Sequence, residues 1–193
     1  MAKAFKKAYG PFSIILHWII AVLICCLLAL GYAMTRPDID PALQFSLFQW
    51  HKSFGMLVLA LTIIRGLHRV LSPPVAPVAE LGTTERFASA VVHRCLLVLA
   101  IAVPFAGWAI ASVSPLAIPT FLFNLYVVPD LPLTRSDMAE TLWSNVHATL
   151  AYMLLGLVLL HAAAAIYHHM WKRDAVLLRM LGRKRPPSSE ERP

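Results

Sequence analysis

The stretch from Trp143 to Met170, WSNVHATLAYMLLGLVLLHAAAAIYHHM, is long and apolar enough to cross a bilayer, yet it holds His147 and His161 in its interior. At about 100° and 1.5 Å per residue, the fourteen-residue interval leaves the two imidazoles within roughly 40° of one helix face and about 21 Å apart along the axis. One helix therefore offers a nitrogen ligand near each membrane surface. That arrangement suits two metal cofactors stacked along the helix, and it demands partners on the helices opposite.

Three further runs have the length and apolarity of membrane spans: Phe12 to Met34, His51 to Leu71 and Ala88 to Val113. The chain of 193 residues is 59% hydrophobic and 14% charged, with a mean hydropathy of +0.67, which excludes an ordinary soluble domain. The expectation is one all-α transmembrane domain over the whole chain, an integral four-helix bundle. The net charge of +7 is distributed as in a membrane protein and gives no case for nucleic acid. Lys3, Lys6 and Lys7 precede the first span, Arg69 and Arg86 bracket the second loop, and Lys172, Arg173, Arg179, Arg183, Lys184 and Arg185 follow the last. The other two loops carry Arg36 and Arg135 among Asp38, Asp40, Asp130, Asp137 and Glu140. Basic flanks mark the cytoplasmic side, so both termini are expected inside, with the basic tail contacting anionic lipid.

The N-terminal run of 23 residues is too long for the core of a secretory signal, about 7–15 residues, and carries His17 and Trp18 near its start. Cys25, Cys26 and Cys95 lie inside spans and form no disulfide framework, and no C-x-x-C-H motif is present to attach haem covalently. A cofactor here is held by coordination and packing.

Each remaining span offers histidines. His17 lies near the inner end of span one, where a neighbouring carbonyl or serine competes with ligation as its partner. His51 opens span two beneath the interfacial Trp50, with Gly55 one turn below on the same face. His68 is about 100° off that face and is expected at the interface. Arg65 and Arg69, four residues apart, snorkel to the inner surface or neutralise cofactor carboxylates. In span three His93 lies at about the depth of His17, and spacing alone leaves open which of the two faces His161. Pro104 is expected to kink that helix. The loop from Thr35 to Gln49 is expected as a turn-rich outer connection, and the segment from Ser114 to Leu142 as an interfacial flap that presents Phe121, Phe123 and Tyr126 at the surface.

Depth sorts the ligands into an inner level with His17 and His161 and an outer level with His51 and His147. Two ligands per level do not build a four-coordinate zinc site, and the spans hold no carboxylates for a di-iron site. Two imidazoles can clamp one octahedral iron, so two b-type haems stacked through the bundle account for every feature.

The chain resembles the bacterial cytochrome b561 family from end to end. The resemblance rests on His17-Trp18, His51 at the head of span two, the Pro73-Pro74 loop, His93 eleven residues before Pro104, Trp143-x-x-x-His147, Leu160-His161 with its four alanines, His168-His169, Trp171-Lys172, and Leu177-Leu178-Arg179-Met180. It implies His17 with His161 as ligands of an inner haem and His51 with His147 of an outer one, leaving His93 as a supporting or propionate contact. It also implies electron exchange between an outer-face partner and ubiquinone in the bacterial inner membrane. A branch of this size oxidises superoxide and reduces ubiquinone, which would make the chain a superoxide:ubiquinone oxidoreductase. Bis-histidine iron has no open position, so a small anionic donor would deliver its electron to the haem edge. Lys52, Arg36 and Arg135 are the outer cations available to steer such an anion, Lys52 being also a candidate propionate contact. At the inner end, His168 lies seven residues beyond His161 on nearly the same face, placed to hydrogen-bond a quinone carbonyl and deliver a proton, with His93 or Arg94 as helper. The competing expectation is an anchor subunit that relays electrons from a partner hydrogenase or formate dehydrogenase to quinone.

Overall fold

The computed structural model describes residues 9–76 and 81–183. Lys3, Lys6, Lys7, Lys184 and Arg185 of the basic flanks lie outside the described residues. Four long helices run in sequence: α1 (Pro11–Met34), α2 (Pro41–Leu71), α3 (Thr83–Val113) and α4 (Asp137–Tyr167), each long and apolar enough to cross a membrane. A two-stranded antiparallel hairpin, β1 (Thr120–Leu122) and β2 (Tyr126–Val128), lies between α3 and α4. A π-helical turn, His168–Lys172, and a short helix α5 (Val176–Met180) complete the described chain.

Three helices begin well ahead of their apolar runs, because caps rather than hydropathy set their ends. α2 starts at Pro41, inside the segment read as a turn-rich loop. Pro41 occupies the first helical position, where its missing N–H costs nothing, and the Asp40 carboxylate accepts from the N–H groups of Ala42 and Leu43 at 3.0 Å. α4 starts at Asp137, where the Ser136 hydroxyl accepts from Ala139 N–H at 3.1 Å and Asp137 and Glu140 occupy the first turn. α3 begins at Thr83, five residues ahead of its apolar run, with the Glu85 carboxylate reaching back to Gly82 N–H at 3.1 Å. Pro104 lies inside α3.

At mid-depth Leu16, Ile20 and Ile24 of α1, Val58 of α2, Leu99 and Ala100 of α3 and Leu154 of α4 form one buried cluster. Much of the remaining apolar surface, such as Ile15, Ile19 and Val22 on α1, is exposed by the protein and matches a lipid environment.

The segment expected as an interfacial flap is pinned to the bundle by two buried serines. The hydroxyl of Ser53 on α2 is shared between the carbonyls of Phe121 (2.8 Å) and Gln49 (2.9 Å) and accepts from Phe123 N–H at 3.1 Å. Ser112 on α3 accepts from Leu131 N–H at 2.9 Å, and Trp108 Nε1 donates to the Pro129 carbonyl at 3.0 Å. Tyr126 is exposed and Phe121 sits at the edge of exposure, but Phe123 turns inward against Phe54 and Trp50, with ring centres 5.2 and 6.1 Å apart. Phe123 and Asn124 adopt left-handed backbone angles at the hairpin tip.

At the opposite end the chain folds back on itself beyond α4. Trp18 Nε1 donates to the Met180 carbonyl at 2.9 Å, and Arg179 donates to the Ala76 carbonyl at 2.7 Å. The described tail is therefore docked on the bundle, in addition to any contact with lipid. The two ends are called below the hairpin end and the terminal end.

Replacing Ser53 with alanine strands the N–H of Phe123 and the carbonyl of Phe121, and is expected to cost about 1–3 kcal/mol. The expected outcome is a lower thermal midpoint in detergent and faster proteolysis within 120–128, with the rest of the chain protected.

Candidate functional site

Histidines from different helices meet at two levels. At the terminal end, His17 of α1 and His161 of α4 have ring centres 6.3 Å apart with planes at 83°. At the hairpin end, His51 of α2 and His147 of α4 stand 6.2 Å apart at 74°. All four rings are half-buried. Two imidazoles on opposite sides of one metal place a metal–nitrogen bond of about 2.0–2.1 Å on each side, which with the ring radius gives centres roughly 6.3 Å apart. Both pairs have that separation. Among the described residues no three His, Cys, Asp or Glu side chains gather to hold a bare metal ion. Two axial nitrogens per level suit an iron whose equatorial ligands come from a macrocycle.

The surroundings of the rings fit a flat group as well. His147 Nδ1 donates to the Val103 carbonyl of α3 at 2.9 Å, which leaves Nε2 free to ligate. His51 Nδ1 is buried without a hydrogen-bond partner among the described residues. Both rings press against glycine: a Cβ on Gly31 of α1 would stand 3.3 Å from His51 Cε1, and one on Gly107 of α3 would stand 3.2 Å from His147 Cε1. A side chain at either position would compete with the imidazole for its place. At Gly55, where the sequence pattern puts the close approach, a Cβ would meet nothing within 4 Å.

The glycines repeat an interval already met. His17 and Gly31 on α1, His93 and Gly107 on α3, and His147 and His161 on α4 are each fourteen residues apart. Three helices thus present one face at both levels, with imidazoles from all three at the terminal end and glycines from two of them at the hairpin end. The buried cluster that includes Ile24, Leu99 and Leu154 lies between the levels.

His93 does not stand apart from the inner pair. Its ring centre is 5.1 Å from that of His161, closer than two rings flanking one iron, and its Nδ1 donates to the Ser89 carbonyl at 2.6 Å. Both His17 and His93 therefore face His161. Arg65 does not extend to the surface: it donates to the Ser13 carbonyl at 3.0 Å and ties α2 to α1 beside His17. His68 is bracketed by the hydroxyls of Ser13 and Ser72 at 3.3 and 3.2 Å, in keeping with an interfacial anchor.

The cations expected at the outer face are all engaged. Lys52 Nζ donates to the Pro119 carbonyl at 3.2 Å, Arg135 pairs with Asp130 at 2.8 Å, and Arg36 lies over the Tyr32 ring and bonds its hydroxyl. At the terminal end His168 opens the π-helical turn, and its Nδ1 lies 2.5 Å from the carboxylate of Asp174. Arg94 is exposed on α3. Asp174, Gly31 and the pinning serines are the residues that sequence reasoning passed over. A lone acid after a basic run and a glycine in an apolar span carry no signal of their own.

Four membrane-crossing helices that bring imidazoles into facing pairs define an integral-membrane redox bundle. The chain belongs to the prokaryotic cytochrome b561 family, whose model matches residues 8–183. It is 30% identical over 179 residues to cytochrome b561 homolog 2 of Escherichia coli (strain K12), covering 92% of this chain and 93% of that protein. It is likewise 30% identical over 184 residues to the probable superoxide oxidase CybB of Yersinia pestis, covering 93% and 98%. Cytochrome b561 homolog 1 of Escherichia coli (strain K12) is 27% identical over 141 residues, 72% of each chain. The protein is accordingly a multi-pass bacterial membrane cytochrome that binds b-type haem and transfers electrons as an oxidoreductase.

Enlarging Gly107 to valine should displace His147 and break its bond to Val103. The expected outcome is lower haem content and a changed reduced-minus-oxidised spectrum.

Proposed function

We propose that the chain, acting as one transmembrane domain, carries electrons between a donor at the hairpin end and ubiquinone at the terminal end. Both termini are placed in the cytoplasm, on the grounds of the basic flanks at that end. The observation that carries this reading is the pairing of rings at two levels with the separation of bis-histidine iron. On it, His17 and His161 hold the iron of an inner haem, and His51 and His147 that of an outer one. The bound haems supply reversible one-electron chemistry.

The protein's own residues set the terms of that chemistry. The Val103 carbonyl fixes which nitrogen of His147 is free, and Gly31 and Gly107 leave the outer rings room to stand between helices. The buried apolar cluster keeps water out of the middle of the bundle. His93 supports the inner level, anchored by Ser89. A haem held by two of these imidazoles would take the donor's electron without offering it a metal site.

Superoxide is the proposed donor, supported by the name of the 30% identical relative from Yersinia pestis. The arrangement of Lys52, Arg36 and Arg135, each already engaged, gives little electrostatic guidance to an anion, so the support is familial rather than geometric. At the other end His168 is the proposed quinone contact through Nε2, with Arg94 of α3 as the proposed helper.

Alanine in place of His17, His51, His147 or His161 is expected to lower the haem-to-protein ratio from about two towards one. His93→Ala keeps both haems. Superoxide added in pulses from a potassium superoxide stock should reduce the purified haem without a partner, and added ubiquinone-1 should reoxidise it. A stoichiometric iron–sulfur or nickel subunit in the preparation, with haem unreactive to superoxide, would establish the anchor-subunit role in its place.

A further inference from the structure

The π-helical turn at the end of α4 serves a purpose that the haem sites do not require. His168 is its first residue, and Arg173, at its C-cap, takes a left-handed conformation with φ 52°. π-helical turns and left-handed non-glycine residues are uncommon and concentrate where a side chain must be aimed. Their effect here is to turn the chain so that Asp174 returns beneath His168. Asp174 is only 3% exposed, the only buried carboxylate among the described residues. One of its oxygens meets His168 Nδ1 at 2.5 Å, and the other accepts from Val176 N–H at 3.0 Å at the start of α5. The cost of burying a carboxylate is offset by those two bonds.

The geometry points to Asp174 as the positioning and proton-holding partner of His168 at the quinone site, a role that rests on the quinone contact proposed above. The carboxylate binds the Nδ1 proton and thereby fixes the ring so that Nε2 is the nitrogen turned to the ligand. With Asp174 ionised, His168 can carry a proton on both nitrogens, as an imidazolium in a hydrogen-bonded pair. Reduction of one quinone takes two electrons, delivered singly from the haem side, and two protons. His168 supplies the proton for the oxygen it faces, its Nε2–H bond breaking as that O–H bond forms, and the second oxygen takes its proton from water at the terminal end. The ring is left neutral with its Nδ1 proton still on Asp174, and Nε2 is recharged from water at the terminal end. The other groups around His168 are Tyr167, whose ring centre is 5.8 Å away, and the Glu85–Lys172 ion pair linking α3 to the π-helical turn. Glu85 and Lys172 are engaged with one another, so Asp174 alone serves the imidazole.

The test measures haem reoxidation by ubiquinone-1 in the detergent-purified holoprotein. Asp174→Asn keeps an acceptor for Val176 N–H but cannot hold the charge. It is expected to slow the limiting rate at least tenfold with the quinone KM within twofold. His168→Ala is expected to slow it similarly, the double variant no further, and formate to restore Asp174→Ala in part. Histidine 15N chemical shifts read the pair apart from turnover, with Nδ1 protonated in the native protein and that preference lost in Asp174→Ala. Wild-type kinetics in Asp174→Asn beside a slow His168→Ala would overturn the role of Asp174 and leave the quinone contact standing. Wild-type kinetics in His168→Ala would overturn the quinone contact itself, and a ring protonated on Nε2 alone would overturn the pair.

Discussion

An imidazole held at membrane depth must find a partner for its nitrogens or bear the cost of leaving them unsatisfied. Four such rings stand in this bundle as two facing pairs, and much of the architecture follows from that requirement. α4 supplies a ring to each pair, α1 and α2 supply the opposite members, and α3 supplies the Val103 carbonyl that occupies the second nitrogen of His147. Between the pairs the chain places a buried apolar cluster, which offers an imidazole no partner, so each ring must be satisfied within its own level.

The two levels are built differently. At the hairpin end glycines on α1 and α3 yield space, and the pinned hairpin closes the mouth above His51 through Ser53 and Ser112. At the terminal end the same faces of α1 and α3 carry His17 and His93, and the chain closes over them by docking Met180 on Trp18. The terminal end is richer in polar and titratable groups, which suits proton-coupled chemistry there. The hairpin end is enclosed mainly by backbone bonds and aromatic rings.

The spans, the pairing of depths and the family were legible in the sequence because hydropathy and a fourteen-residue interval are local, periodic signals. The beginnings of α2 and α4 were not, since Asp40-Pro41 and Ser136 act through capping geometry that an apolar-run reading discounts. Phe123 was expected at the surface because loop aromatics often lie there, but the hairpin turns it onto Phe54 and Trp50. Gly31 could not be singled out without knowing that His51 lies against it. Asp174 was absorbed into a basic tail, and only the π-helical turn that brings it under His168 gives it meaning. Spacing left open whether His17 or His93 faces His161, and the structure brings both to that ring.

The interval shared by α1, α3 and α4 also acts as a ruler that constrains how such a chain can change. Adding or removing one residue between His147 and His161 would swing one ring by about 100° and shift it about 1.5 Å in depth, separating it from its partner. The same holds between His17 and Gly31 and between His93 and Gly107. Descendants of this sequence can vary the identity of the intervening lipid-facing residues freely, but their number is frozen on three helices at once. Length variation is therefore pushed outside these intervals, and there too the hairpin tied to Ser53 and Ser112 and the turn that carries Asp174 keep spacings of their own.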